Sequence, residues 1–281
     1  MRVTVLGASG FIGRHLTAAL RARGDDVVET SLRDPARAAA ASAGSDVVVN
    51  LAGAPVAQRW TEPAKREMTR SRVDLPHAYL DALARAGPPP KTYVSSSAIG
   101  YYGTSPTATF IESSPPGQDF LARLCVAWEA EADRAAALGM RVAKIRTGLV
   151  LGTGGGMLGK LLPVFRLGLG GVLASGEQWY SWIHADDEAG IYLHAIDGRA
   201  EGILNAAAPN PVTNREFTRA LARALRRPAF FPVPAFAGTV LFGEGALMLN
   251  EGQRVLPQRT VASGYVFRHP DLDEALKSLL A

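Results

Sequence analysis

The sequence predicts an α/β fold: a doubly wound parallel sheet with helices on both faces and a smaller C-terminal α/β lobe. Three observations predict it. Val-, Ile- and Leu-rich runs of strand length alternate with amphipathic stretches through the first two thirds of the chain, a glycine-rich turn joins the first run to the first helix, and the alternation breaks down after about residue 152.

In chain order, VTVLG (3–7) reads as the first strand and 11–23 as the first helix. DVVET (26–30) and an Ala-rich helix at 35–43 follow, then the strand DVVVNLAG (46–53) and a helical stretch over 62–86. KTYVSSS (91–97), a helix over 118–138 and the strand RVAKIRTGLVLG (141–152) complete the alternating part. A Gly-rich loop, a helix at 157–168 and SGEQWYSWIHADDEAGIYLHAI come next, and from NAAAPNPVTNREF onward the chain is proline-rich and mixed. The expected division places residues 1–152, with 184–206, in the sheet domain and 153–281 mainly in the second lobe.

Composition narrows the function. The chain has 281 residues, 47% of them hydrophobic and 20% charged, which is ordinary for a soluble globular protein. A net charge of +4 with no basic run argues against nucleic acid or a membrane surface as partner. One cysteine rules out an internal disulfide and fits a reducing compartment. MRVTVLGASG lacks the layout of a signal peptide and no apolar run is long enough to span a bilayer, so the expected location is cytoplasmic. A homodimer is compatible with the sequence.

The turn Gly7-Ala8-Ser9-Gly10-Phe11-Ile12-Gly13 has a strand before it, a helix after it and a second strand on schedule. Glycines let backbone N–H groups approach a pyrophosphate, which then rests on the positive end of the helix. At the end of the second strand an acid would hold a ribose 2′-hydroxyl, but Ser31 stands there with Arg33 two residues on. A hydroxyl and a guanidinium suit a 2′-phosphate, so the expected cofactor is NADP(H). Glu29, the rival ribose ligand, falls inside the strand.

GASGFIG, DVVVNLAG, KTYVSSSAIGYYG, RVAKIRTGLVLG and GEQWYSWIHADDEAG resemble, in order and spacing, the extended short-chain dehydrogenase/reductases of the nucleotide-sugar epimerase group. LAGAPVAQRW, SRV at 71–73, Trp128-Glu129 and GQRVLPQRTVASGYVF narrow the resemblance to its atypical "epimerase family protein" branch, which ends in a domain of unknown function. The resemblance implies cofactor contacts at Leu51, Ala52 and Gly53, at the strand-end Ser95, and at Thr147, Gly148 and Leu149, where the nicotinamide amide docks.

It also implies a serine at the end of the fifth strand and a Tyr-x-x-x-Lys pair on the next helix to transfer a proton while hydride moves. Ser97 matches the serine. The helix FLARLCVAWEAEA (120–132) places Leu121 and Cys125 at the tyrosine and lysine positions when Glu129 is aligned with the acid that follows, so the pair is absent. Three readings follow: Tyr101 or Tyr102, just past Ser97, replaces the acid; Cys125 acts as acid or redox group rather than as core; or the protein binds NADPH without turnover, as a sensor.

On the substrate side, Gln178 and Trp179 are placed to clamp a planar ring or sugar. Arg72, where the family carries an asparagine, stands with Arg59 toward an anion, or else pairs with Glu62 or Glu67. Arg254 is a weaker candidate of the same kind. His184 and Asp186-Asp187 read as a helix start with a capping acid, and no metal set is expected. The predicted function is an NADP-dependent oxidoreductase or epimerase-like enzyme of atypical mechanism on a small carbonyl, alcohol or nucleotide-linked substrate.

Overall fold

A computed structural model of the chain describes residues 1–236 and 243–280. Its centre is a six-stranded, fully parallel sheet built from β1 (Arg2–Leu6), β2 (Asp26–Thr30), β3 (Val47–Asn50), β4 (Thr92–Ala98), β6 (Arg141–Thr147) and β10 (Gly202–Ala206). The spatial order is β10-β6-β4-β3-β1-β2. Strand order therefore reverses between β1 and β3, where the carboxyl ends of two strands part and open a crevice.

The strand VVVN shows how the sequence covers both faces. Val47 and Val49 point into a core with α1 (Phe11–Ala22) and α7 (Ala185–Ile196), while Val48 points to the other side, against α2 (Pro35–Ala41), α4 (Leu75–Leu83) and α5 (Phe120–Ala137). Side chains alternate along a strand, so a run of valines with no polar partner fits only a sheet buried twice.

Two expected elements are interrupted. The helical stretch 62–86 splits into α3 (Glu62–Thr69), a π-turn (Arg70–Asp74) and α4. The strand expected over 141–152 ends at Thr147, and Gly148 leads into β7 (Leu149–Leu151), which pairs with β9 (Trp182–His184) outside the main sheet. The strand expected over 46–53 stops at Asn50, whose side chain turns back to accept from the Ala52 N–H at 3.1 Å and so ends the ladder.

The remaining core gathers α6 (Gly156–Arg166), α8 (Asn214–Leu225) and the helix Leu272–Leu280 around Trp182 and Phe217. Three short ladders tie this lobe to the sheet's carboxyl edge: β7 with β9, β8 (Trp179–Tyr180) with β11 (Val212–Thr213), and β5 (Thr109–Phe110) with β12 (Arg254–Val255). Among the described residues no helix is long and apolar enough to cross a membrane.

The start of α7 holds the later chain. The expected capping acid is replaced by an imidazole, since His184 Nδ1 accepts from the Asp186 N–H at 3.0 Å. Asp187 is fully buried and accepts instead from Tyr265 Oη at 2.9 Å and from the N–H groups of Arg268 and His269 at 2.8 and 2.9 Å. Removing that acceptor strands three donors in the interior. Asp187→Ala is expected to lower the unfolding free energy by about 3 kcal/mol or more, read as a shifted urea midpoint, with Asp187→Asn losing less.

Candidate functional site

The glycine turn lies at the crevice between β1 and β3. Gly7 has φ 85°, and a Cβ there would sit 2.9 Å from the Ala52 nitrogen. A Cβ on Gly13 would come within 2.5 Å of the carbonyl oxygens of Gly7 and Ala8. Both positions are closed to any larger residue, which draws the turn flat against the segment after β3. No side chain caps α1 at Gly10, so its first N–H groups are left for a ligand. Ser9 and Gly10 are exposed, Ile12 is half-buried, and the Phe11 ring leans on Gly152 and Gly155, joining the turn to the loop before α6.

The edge of β2 is arranged for a further anion. Ser31 and Arg33 are both exposed, and Ser31 Oγ accepts from the Arg33 N–H at 3.3 Å. Arg33 makes no ion pair among the described residues. Glu29 is drawn away to Arg21, 2.5 Å off, so no carboxylate competes at this point. Leu51, Ala52 and Gly53 form the turn after β3, which Asn50 braces from one side and Ser71 from the other, its Oγ accepting from the Ala54 N–H at 2.9 Å.

Toward the middle of the sheet the expected contacts turn inward. Ser95 bonds the carbonyl of Ser96, and the Ser96 hydroxyl meets Tyr192 Oη at 2.6 Å. Ser95 is thus a strand-end structural hydroxyl whose side chain is withdrawn from any cofactor. Thr147 Oγ1 donates to Glu188 Oε1 at 2.6 Å, leaving only its backbone for a ligand. Gly148 and Leu149 spend their N–H groups on the carbonyls of Ala206 and Ser181.

Most of the candidate catalytic hydroxyls are also engaged. Ser97 Oγ donates to Glu129 Oε1 at 2.6 Å, and Glu129 takes Arg146 through two bonds of 2.7 and 2.8 Å. Arg146 Nη1 donates to Tyr102 Oη at 3.0 Å, and Tyr102 Oη donates to Asn205 Oδ1 at 2.6 Å. Asn205 in turn donates to Glu112 and to the carbonyl of Leu256. Burial pushes Tyr102 up to about 12 despite the neighbouring guanidinium, which makes it a weaker acid than an exposed phenol. Tyr101 differs: it is half-buried, its ring lies on the Arg146 guanidinium 3.3 Å from centroid, and its hydroxyl is held by none of the described residues.

Helix α5, capped by Asp119, carries Leu121 and Cys125. Leu121 packs against Gly100, and Cys125 is fully buried beneath it, its thiol pushed up to about 12 by burial, so it is core and not an acid.

The substrate-side candidates divide. Gln178 is buried and holds the loop before it through the Leu173 carbonyl, 3.0 Å from Nε2, so it supports the lobe from within. Trp179 is half-buried, with Arg254 over its ring at 4.9 Å and its Nε1 on the Pro106 carbonyl. Arg59 rests against Gly243. The ion pair considered for Arg72 does not form: Glu67 takes Arg70, Glu62 takes Lys65, and Arg72 is buried over Trp128.

Two features escaped the sequence reading. His269 arrives beside His184 and Asp186, a set of ligand-type atoms that chain spacing could not reveal. The two imidazoles are stacked at 3.8 Å, so their in-plane lone pairs run side by side instead of converging, and His184 Nδ1 is already an acceptor. Glu188 is fully buried, with Oε2 taking no hydrogen bond, and burial drives its carboxyl up to about 8 against the Thr147 bond. Its signal was present in the chain: residue 188 falls on the apolar stripe of α7 with Ala185, Ile191 and Ala195.

Comparison with known proteins agrees with this geometry. The profile described as the NAD dependent epimerase/dehydratase family matches residues 3–207, and a domain of unknown function (DUF1731) matches 233–279. The chain is 42% identical to the human Epimerase family protein SDR39U1 over 100% of both chains. It is 39% identical to the chloroplastic SDR39U1 homolog of Arabidopsis thaliana, over 100% of this chain and 87% of that one. Among solved structures, human SDR39U1 (isoform 2) with NADPH superposes with a TM-score of 0.91 at 39% identity, covering 100% of this chain and 99% of that one.

Glu188 yields a pH signature. Its folded value of about 8 stands above the ordinary 4.5, so its contribution to stability is complete below about pH 4.5 and is lost as pH rises toward 8. Urea unfolding between about pH 5 and pH 8 is expected to show this decline in wild type and a flatter profile in Glu188→Gln.

Proposed function

The chain belongs to the NAD dependent epimerase/dehydratase family, and from that premise we propose that it binds NADPH across the β1–β3 crevice as an oxidoreductase or epimerase-like enzyme of atypical mechanism. The observation that carries the reading is the pair of closed glycine positions, Gly7 set against Ala52 and Gly13 against the carbonyls of Gly7 and Ala8, beneath an uncapped helix end. That cradle fits a dinucleotide diphosphate. Ser31 and Arg33 suit the 2′-phosphate, and the backbone of residues 51–53 and 147–149 lines the way toward the reactive end.

When bound, the reduced nicotinamide supplies a hydride. The chain must supply the proton, and Tyr101 is the one candidate hydroxyl not already held by a neighbour. The substrate class that suits this arrangement is a small carbonyl or alcohol, closed in by Trp179 and the second lobe. One observation favours a different outcome: Ser97 and Tyr102 are locked in a buried network, as suits a protein that binds NADPH without turnover and acts as a sensor.

Arg33→Ala is expected to weaken NADPH binding by about 10-fold or more, the loss of a charge-assisted contact, and to leave NADH unchanged. Titration of nicotinamide fluorescence measures both, and equal losses for the two cofactors would count against the 2′-phosphate site. A carbonyl panel followed at the nicotinamide absorbance band separates the two outcomes. Turnover abolished by Tyr101→Phe supports the enzyme, and tight binding with no oxidation of NADPH by any carbonyl supports the sensor.

A further inference from the structure

The π-turn Arg70–Asp74 interrupts a helix that could have run straight. Its closing bond joins the Leu75 N–H to the Arg70 carbonyl, one residue wider than an α-helical turn. Two consecutive polar residues, Ser71 and Arg72, are buried by it. Ser71 braces the turn after β3 through Ala54. Arg72 is equally buried, and its Nη1 has no such bond among the described residues.

The guanidinium of Arg72 lies 4.9 Å from the Trp128 ring centroid, and the residue is 8% exposed. Its other side rests on the turn after β3: a Cβ at residue 53 would stand 2.8 Å from Nη2, so glycine at 53 is what lets the cation lie there. Arg72 Nη1 and Trp128 Nε1 are both buried, and neither has a hydrogen-bond acceptor among the described residues. Two orphan donors therefore belong to one cation–aromatic pair.

Among the described residues no carboxylate pairs with Arg72. Glu129, one turn from Cys125 on the same helix, is committed to Arg146 and Ser97. The Cys125 thiol beside Arg72 is held neutral by burial, and burial lowers the guanidinium only to about 10, so it stays charged at neutral pH. An uncompensated buried cation is costly, and contact with an indole face returns only part of that.

We infer that Arg72 Nη1 and Trp128 Nε1 form a subsite for an anionic oxygen, a carboxylate or phosphate oxygen, of a ligand lying along the turn after β3. That turn also touches Gly7, so the subsite adjoins the dinucleotide crevice. The oxygen has two sources: the cofactor's own diphosphate, or an acid group on a second small molecule. Only the cofactor source rests on the NADPH reading.

The test uses the full chain as wild type, Arg72→Met, Arg72→Lys and Trp128→Phe. NADPH is titrated into ligand-free protein, and inorganic phosphate and oxalate are titrated into ligand-free and NADPH-saturated protein, with binding read by calorimetry and thermal melts. If the cofactor supplies the oxygen, Arg72→Met loses about 10-fold or more in NADPH affinity, Trp128→Phe loses less, and the free anions do not discriminate. If a second molecule supplies it, NADPH affinity is unchanged and the anion-induced rise in Tm seen in wild type disappears in Arg72→Met, with Arg72→Lys between. In either case ligand-free Arg72→Met melts no lower than wild type, because it sheds an unpaired charge. Equal binding of NADPH and of both anions by wild type and Arg72→Met would overturn the inference, and so would a lower ligand-free Tm, which marks a merely structural arginine. Wild type failing to bind NADPH would sink the functional reading alone, since the anion arm still decides this one.

Discussion

The ion pair between Arg146 and Glu129 is the constraint on which the rest of the site depends. It is buried on both sides and joins β6 to α5. Through its spare hydrogen-bonding capacity it gathers Ser97 from β4, Tyr102 from the turn after β4, and the Glu112 carbonyl. Burial would lower the guanidinium, but the neighbouring carboxylate more than reverses this, and the hydrogen bonds of both partners are taken up within the network. A pair of this kind is weak evidence for added stability, yet breaking it would leave a lone charge in the core. The result is a fixed polar framework where a dehydrogenase of ordinary type would carry mobile protons.

That framework separates the molecule into two regimes. At the β1–β3 crevice the chain keeps backbone close to backbone and leaves N–H groups open, which is what a diphosphate needs. At the carboxyl ends of β4 and β6 it closes hydroxyls into a buried network and packs Leu121 and Cys125 of α5 into the core. Arg72 stands at the boundary, a buried guanidinium with no ion pair among the described residues.

The sheet and the nucleotide turn were legible in the sequence because their determinants are local. A run such as VVVN can be satisfied only between two layers, and Gly7 through Gly13 carry their own backbone requirement. The direction in which a side chain turns was not legible. Ser95, Ser96 and Ser97 alternate on one strand, but whether each hydroxyl meets a ligand or a buried partner depends on Tyr192 and Glu129, 96 and 32 residues away from their partners in sequence. Tyr102 reads as ligand-facing for the same reason and is held by Asn205, which the fold brings from 103 residues away, while Gln178 turns back to the Leu173 carbonyl of the loop just before it. The π-turn is the subtler omission, since nothing in the periodicity of 62–86 distinguishes a wide turn from a regular one, and it is that turn which sends Arg72 inward.

The contact at Asp187 has a consequence in time. Its acceptors wait for Tyr265, Arg268 and His269, which follow it by 78 to 82 positions. During synthesis the sheet strands up to β10 and the helix α7 emerge before those donors exist. Until they do, the carboxylate at the start of α7 is either solvated or stranded, and α7 cannot settle on α1 with its charge satisfied. The nucleotide-binding half is thus complete in sequence well before it is complete in energy, and a nascent chain halted at that stage would present an open flank to chaperones and proteases.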